Sequence, residues 1–247
     1  MPNIFDIKLV FTQIPALLEY LPVTLAITAI SMIIGVILGF IIASIRIRKI
    51  VFLNQAVGVF VSFMRGTPLI VQLYLSYYGI PVLLKYYNYY NQTDYNVNDI
   101  PSILFVLLAF SLNEAAYNSE SIRAAMLSVD KKQIEAAQSL GMTPLQVLRR
   151  VTLPNAFIVA LPTLGNTLIS LLKGTSLAFV CSVIDLTAKG KILASSSYRY
   201  FEVYISLALI YWALTIIIEQ VIKRVETTIS VPDTPPITSG KKRYARD

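Results

Sequence analysis

Five long apolar stretches alternate with polar segments along the chain: 21–45, 66–84, 100–122, 156–184 and 201–222. A helix needs about 20 mostly apolar residues to cross the hydrocarbon core of a bilayer. Lipid offers backbone N–H and C=O groups no partners, so each stretch is predicted to be an α-helix. A shorter apolar stretch, 50–64, precedes the second. A span beginning near Leu53 would place Arg65 deep in the bilayer, which is costly. The pattern therefore predicts an interfacial or buried connector over 50–64 and a span starting near Gly66. Pro68, Pro154 and Pro162 are expected to mark helix starts or kinks. The expected fold class is an all-α membrane protein with five transmembrane helices. A segment 1–19 leads into a membrane domain over 20–228, which carries a polar loop at 128–154, and a tail follows at 229–247.

Composition supports this. The chain has 247 residues, 55% of them hydrophobic and 14% charged, and a mean hydropathy of +0.64. One soluble core of this size does not absorb so much apolar surface. There is no histidine, which excludes His-based catalysis and His-ligated metal, and the single cysteine, Cys181, excludes a disulfide framework. The net charge of +7 is not that of a nucleic-acid binder, because the basic residues cluster at the ends of apolar runs. Arg46, Arg48 and Lys49 follow the first span. Lys131, Lys132, Arg149 and Arg150 lie between the third and fourth, and Lys223 and Arg224 follow the fifth. The positive-inside rule then puts the N-terminus outside and the C-terminus inside. The first 19 residues, with Asp6 and Glu19 and no basic start, do not read as a cleaved signal peptide. Segment 86–99, rich in Tyr and Asn, is expected as an external loop, and the Pro-rich tail from Val231 as a mobile one.

The loop 128–154 is too polar to span. Asp130 with Gln133 has the spacing of a capping box, and Gly141 is a helix stop. Thr143, Pro144 and Gln146 give a second start, and Pro154 is expected to end that helix. Two short helices joined by a tight turn are predicted at the cytoplasmic membrane face. An amphipathic surface loop would need no more than this.

Polar groups inside the spans are functional candidates, because burying them in lipid is costly. In the third span Asn113, Tyr117 and Glu120 fall on one helical face, with Glu114 and Asn118 on the neighbouring one. In the fourth, Thr163, Asn166, Ser170 and Lys173 share a face. Lys173 is too far from either end of its span to reach the interface easily, so it needs an anion or water. Glu114, Glu120 or a substrate carboxylate would each serve. A zwitterionic substrate would want one fixed cation, one fixed anion and neutral hydrogen-bonding groups, and these residues supply them. The same charges would equally serve to pair with one another, as Glu120 and Arg123 do at i,i+3 spacing. Gly35-x-x-x-Gly39 is a small-residue helix-packing motif.

Glu135-Ala136-Ala137, Gly141 and then Val151-x-Leu153-Pro154 resemble the EAA signature of ABC-importer permeases, with Val in place of the usual Ile. Arg65-Gly66-Thr67-Pro68-Leu69 with Gln72, Ala116-Tyr117 with Glu120 and Arg123, and Lys173-Gly174-Thr175-Ser176-Leu177 resemble the polar amino-acid branch, the His/Glu/Gln/Arg-type or HisMQ-like permeases. The likeness leans to the cystine-type permeases ahead of the arginine/glutamine type. It implies a type I importer, MetI-like fold. It also implies that Glu135, Ala136, Ala137, Gly141, Leu153 and Pro154 dock on a cytoplasmic ATPase. Thr67, Gln72 and Lys173 are implied for the substrate pathway, with Asn113, Glu114, Tyr117, Glu120, Asn166 and Ser170 beside them.

No G-x-x-x-x-G-K-[ST] loop is present, so ATP and its Mg are expected on a partner ATPase dimer, and the chain itself is expected to bind no cofactor and to be no enzyme. The other implied partners are a second permease copy, identical or different, an extracellular solute-binding protein, a polar amino acid and the lipid bilayer. Five helices are few to enclose a gated pathway alone. An ion-coupled secondary transporter is the alternative. An odd span count without an inverted repeat counts against it, and it would leave the 128–154 loop without a role. A membrane enzyme is weaker still.

Overall fold

A computed structural model of the chain describes residues 5–96 and 99–229; the expected mobile tail lies, from residue 230 on, outside the described residues. Every regular element among the described residues is helical. Two short helices, α1 (Ile7–Thr12) and α2 (Ile14–Leu18), lead into α3 (Leu21–Arg48). α4 (Leu53–Gly66) is followed by α5 (Leu69–Tyr74), which runs through a turn of π-helix, Leu75–Gly79, into α6 (Ile80–Asn91). α7 covers Ser102–Leu127, α8 Lys131–Ser139 and α9 Pro144–Val147. A second π-turn, Leu148–Thr152, joins α9 to α10 (Leu153–Gly174), which tightens into a 3-10 segment over Thr175–Cys181. α11 (Leu186–Ser197) and α12 (Tyr200–Ile229) complete the fold.

Three of these runs are long and apolar enough to cross a membrane: Leu21–Arg48, Pro144–Cys181 and Tyr200–Ile229. Leu53–Gly66 and Leu69–Asn91 are long and apolar enough only when taken together, and they are bent by 111° where they meet. The expected connector over 50–64 is thus a helix, set sharply off the span that follows it. α7, the expected third span, falls short of the apolar standard because Glu114, Glu120, Arg123 and its Asn and Ser residues dilute its apolar content. It can carry them because it is the central helix, with buried residues on all sides.

α3 and α7 lie in intimate contact at two glycines. A Cβ on Gly35 would come 2.5 Å from the Glu114 Cβ, and one on Gly39 would come 3.0 Å from the Ser119 backbone nitrogen. The Gly-x-x-x-Gly motif therefore lets two backbones approach as the sequence implied. Ile27, Leu73, Val106, Phe110 and Leu171 form the main apolar core. Leu17, Leu186, Val203 and Leu207 form a second, where the N-terminal helices seat on α11 and α12. Ser206 Oγ donates to the Val10 carbonyl at 2.7 Å there.

Three local expectations change. Segment 86–99 is not wholly a loop. The helix continues through the Tyr-Asn run to Asn91, since nothing in it breaks a helix, and ends where Gln92 turns left-handed at φ 52°. Pro154 does not end a helix. The π-turn before it widens the coil, so a ring with no N–H is accommodated in a continuous run. Asp130 does cap α8, accepting from the Lys132 N–H at 2.9 Å, but Gln133 does not close the box and instead accepts from Asn155 Nδ2 at 3.2 Å. The sequence pattern assigned no element to 185–200. Asp185 caps a full helix, α11, by accepting from the Ala188 N–H at 2.8 Å.

Candidate functional site

The candidate residues fall into four groups. The first is the break between α4 and α5. Pro68 has no N–H and holds an extended ψ of 139°, so the backbone around Met64–Thr67 loses helical partners. Gln72, buried one turn into α5, supplies them. Its Nε2 donates to the Met64 carbonyl at 2.8 Å, the Thr67 carbonyl at 3.1 Å and Thr67 Oγ1 at 2.9 Å. Its Oε1 accepts from Asn113 Nδ2 at 3.0 Å. Thr67, Gln72 and Asn113 are thereby brought together, and their polar atoms serve the helix break.

The second group is charged. Glu120 forms an ion pair with Arg46 of α3. It also accepts from Arg123 Nη2 at 2.8 Å and from Arg123 Nε at 3.1 Å, both on its Oε2. Arg65, at the end of α4, stands over the Tyr117 ring with its guanidinium carbon 5.5 Å from the centroid. Arg46, Ser62, Arg65, Tyr117 and Glu120 line one polar cleft of about 440 Å³. Gly58 and Gly66 on α4 leave room for it, with nothing within 4 Å of an added Cβ. The problem of Arg65 in a span is resolved by the bend, which puts it at a helix end beside an aromatic face.

The third group is Thr163, Asn166, Ser170 and Lys173. All four are exposed along α10, a polar stripe on an otherwise apolar membrane helix. Among the described residues no ion pair joins Lys173 to either glutamate, since Glu120 is held by two arginines. Glu114 stands apart. It is 6% exposed beneath Gly35, with Asn118 Nδ2 at 3.5 Å. It faces α3, not the side chains of Tyr117 or Lys173.

The fourth group is the loop. Gly141 takes φ +79°. The Met142 N–H then donates to the Ala137 carbonyl at 3.2 Å and the Gly141 N–H to the Gln138 carbonyl at 2.9 Å, the paired bonds of a Schellman stop. Thr143 and Gln146 close a capping box, with Thr143 N–H to Gln146 Oε1 at 2.8 Å and Gln146 N–H to Thr143 Oγ1 at 3.4 Å. Glu135, Ala136 and Gly141 face outward while Ala137 packs inward. Leu140 and Leu145 are 81% and 71% exposed on either side of the turn, an apolar tip that the described residues leave uncovered. Leu153 is half-buried and Pro154 exposed, on the membrane side of the π-turn. Among the described residues no group of three or more His, Cys, Asp or Glu could hold a metal ion.

Arg46 was not singled out as a site residue from the sequence. It is 74 positions from Glu120, and only a register between α3 and α7 reveals the pair. The basic end of the first span was the available signal.

A helical bundle with one sharp helix break, a polar stripe exposed along an apolar helix and a capped, protruding loop is the build of a transporter's membrane component. The chain belongs to the family of binding-protein-dependent transport system inner membrane components, which it matches over residues 14–231. It is 41% identical over 217 residues to the probable amino-acid ABC transporter permease protein PatM of Vibrio harveyi, covering 88% of this chain and 93% of that protein. It is 38% identical over 238 residues to the L-cystine transport system permease protein TcyL of Bacillus subtilis, covering 96% and 97%. A solved structure described as an amino acid ABC transporter with histidines superposes with a TM-score of 0.77 at 34% identity, over 91% of this chain and 99% of that one. The chain thus has the MetI-like importer-permease fold, and it is a permease subunit, not an enzyme.

Proposed function

We propose that the chain is the membrane subunit of a bacterial importer that moves a polar amino acid across the plasma membrane. L-cystine ranks first as substrate, followed by arginine, glutamine, glutamate and histidine. Near end-to-end likeness to an L-cystine permease supports that ranking. The observation that carries the reading is the exposed stripe Thr163–Asn166–Ser170–Lys173 on α10. Polar groups and an unpaired ammonium do not face lipid, so this side of α10 lines a hydrated pathway closed by a second permease copy.

Tyr117 and Glu120 edge the same pathway, and Thr67, Gln72 and Asn113 shape it by holding the broken helix. Glu114 contributes through its contact with α3. The membrane domain spans 20–228 in five crossings, N-terminus outside. An ATPase dimer, which holds ATP and Mg, seats against Glu135, Ala136, Ala137 and Gly141, and Leu153 and Pro154 carry the movement into α10. A solute-binding protein docks on the outer face. ATP binding and hydrolysis then shift the population between outward- and inward-open states.

The test is reconstitution with the cognate ATPase and binding protein in liposomes, measuring which amino acid stimulates ATP hydrolysis and accumulates inside. L-cystine is expected to stimulate most strongly, and Lys173→Gln to abolish uptake. Uptake by the chain alone, driven by an ion gradient, would overturn the proposal in favour of a secondary transporter.

A further inference from the structure

α10 has a second, apolar face, mostly buried, with Phe157 exposed on it. Residues 153, 156, 157, 160 and 164 recur at helical spacing, about 120° round the helix from the polar stripe. They form one wall of an apolar groove of about 440 Å³. Ile37, Phe40 and Ile41 of α3 form the opposite wall, with Ile122 and Met126 of α7 at its base. A second cleft, of about 480 Å³, continues from it. Met126 lines both, and the consecutive Thr152 and Leu153 line one each. This second cleft leads past Leu148 to the basic end of α3, where Arg48 stands at its edge, and it is walled by Ile134 and Gln138 of α8 and Leu145 of α9. Among the described residues Arg48 has no ion-pair partner.

The groove is apolar at membrane depth and cationic at one mouth. Its polarity order and charge match one molecule, a glycerophospholipid with an anionic headgroup. We infer that this groove is a built-in site for such a lipid, from the leaflet at the basic ends of the spans. One acyl chain lies between Ile37 and Phe157, and the phosphate meets Arg48. The charge at the mouth favours an anionic lipid over a zwitterionic one, as juxtamembrane basic residues do generally. Because Ile134, Gln138 and Leu145 wall the headgroup end, the lipid touches the two helices of the 128–154 loop, and its occupancy sets how firmly they are held against α3 and α7.

The purified full chain in detergent provides the test, with phosphatidylglycerol, phosphatidylcholine and inorganic phosphate as probes. Native mass spectrometry should find phosphatidylglycerol retained several-fold over phosphatidylcholine, with a matching rise in Tm. Arg48→Gln should remove the preference between the two lipids. Ile37→Trp, at a position 56% exposed and so harmless to folding, should block retention of both. Equal retention of the two lipids by the unsubstituted chain, an equal Tm rise with inorganic phosphate, or unchanged retention in both variants would overturn the site. So would efficient disulfide crosslinking between two copies carrying Ile37→Cys, since the groove would then be covered by the second copy.

Discussion

Asn113 Nδ2 donates to Gln72 Oε1 at 3.0 Å, and the amide nitrogen of the same Gln72 holds the Met64 and Thr67 carbonyls. One buried carboxamide therefore joins the centre of α7 to the free backbone of a broken helix. Inside lipid no water replaces those partners. Gln72→Ala leaves two carbonyls and the Asn113 amide without partners, and each buried unsatisfied group costs about 1–3 kcal/mol. Asn113→Ala strands only the Gln72 oxygen and should cost less. The double variant should be milder than the sum of the two, which thermal unfolding of all four proteins in detergent will show. Gln72→Glu should recover at most part of the loss, because a buried neutral carboxyl has one O–H donor where two carbonyls need partners. Additive losses would mean that the two side chains act separately.

The same logic separates two glycines that look alike in sequence. Gly35→Ala puts a methyl 2.5 Å from the Glu114 Cβ, with the Ala115 backbone nitrogen at 3.3 Å, so α3 and α7 must part. Overpacking of this kind costs about 1–3 kcal/mol. Gly58→Ala meets nothing within 4 Å in the interior of α4. It should stabilise by about 0.5–1 kcal/mol, the usual gain of Ala over Gly in a helix. Opposite signs in Tm are expected. A stabilising Gly35→Ala would rule out the close α3–α7 contact.

How far the sequence exposes these features depends on the range of the interactions. The Thr143–Gln146 box and the Gly141 stop were legible because all their partners lie within a few residues. Even so, Gln133 shows the limit, since a partner 22 positions away, Asn155, competes for it and wins. Pro154 was misjudged because proline ends an ordinary α-helix, whereas a π-turn absorbs it. Glu114 and Asn113 are neighbours in sequence with different fates, one beneath Gly35 and one bonded to Gln72. Helical periodicity gave their relative angle but not which helix lay on each side. Lys173 was legible as a charge in need of an anion or water, but that Glu120 is taken by two arginines and Glu114 faces α3 follows only from the packing.

Glu120 bridges two arginines, one local and one on α3. Glu120→Gln leaves Arg46 and Arg123 facing each other, with Arg65 across the cleft. The side chains are 22–34% exposed, so screening limits the effect to about 0.5–1 kcal/mol. The loss should shrink in high salt. Adding Arg46→Gln to Glu120→Gln should recover part of it, and a double-mutant cycle read by Tm measures the coupling. No coupling, at low salt, would place the pair among those that contribute nothing to stability.

The turn between α8 and α9 allows stability and coupling to be separated. Gly141 sits at φ +79° with nothing within 4 Å of an added Cβ. Gly141→Val is therefore opposed by backbone conformation alone, by about 1–2 kcal/mol, and disturbs no packing in the membrane. Glu135→Ala, on an exposed face of α8, should leave Tm nearly unchanged. In the reconstituted importer both variants should lose substrate-stimulated ATP hydrolysis and uptake, while Gly141→Ala, with a smaller side chain at the same φ, retains part of each. Circular dichroism and Tm then distinguish a lost contact with the ATPase from a lost fold. If Gly141→Val and Glu135→Ala both transport at the unsubstituted rate, the loop is not where the ATPase acts on this chain.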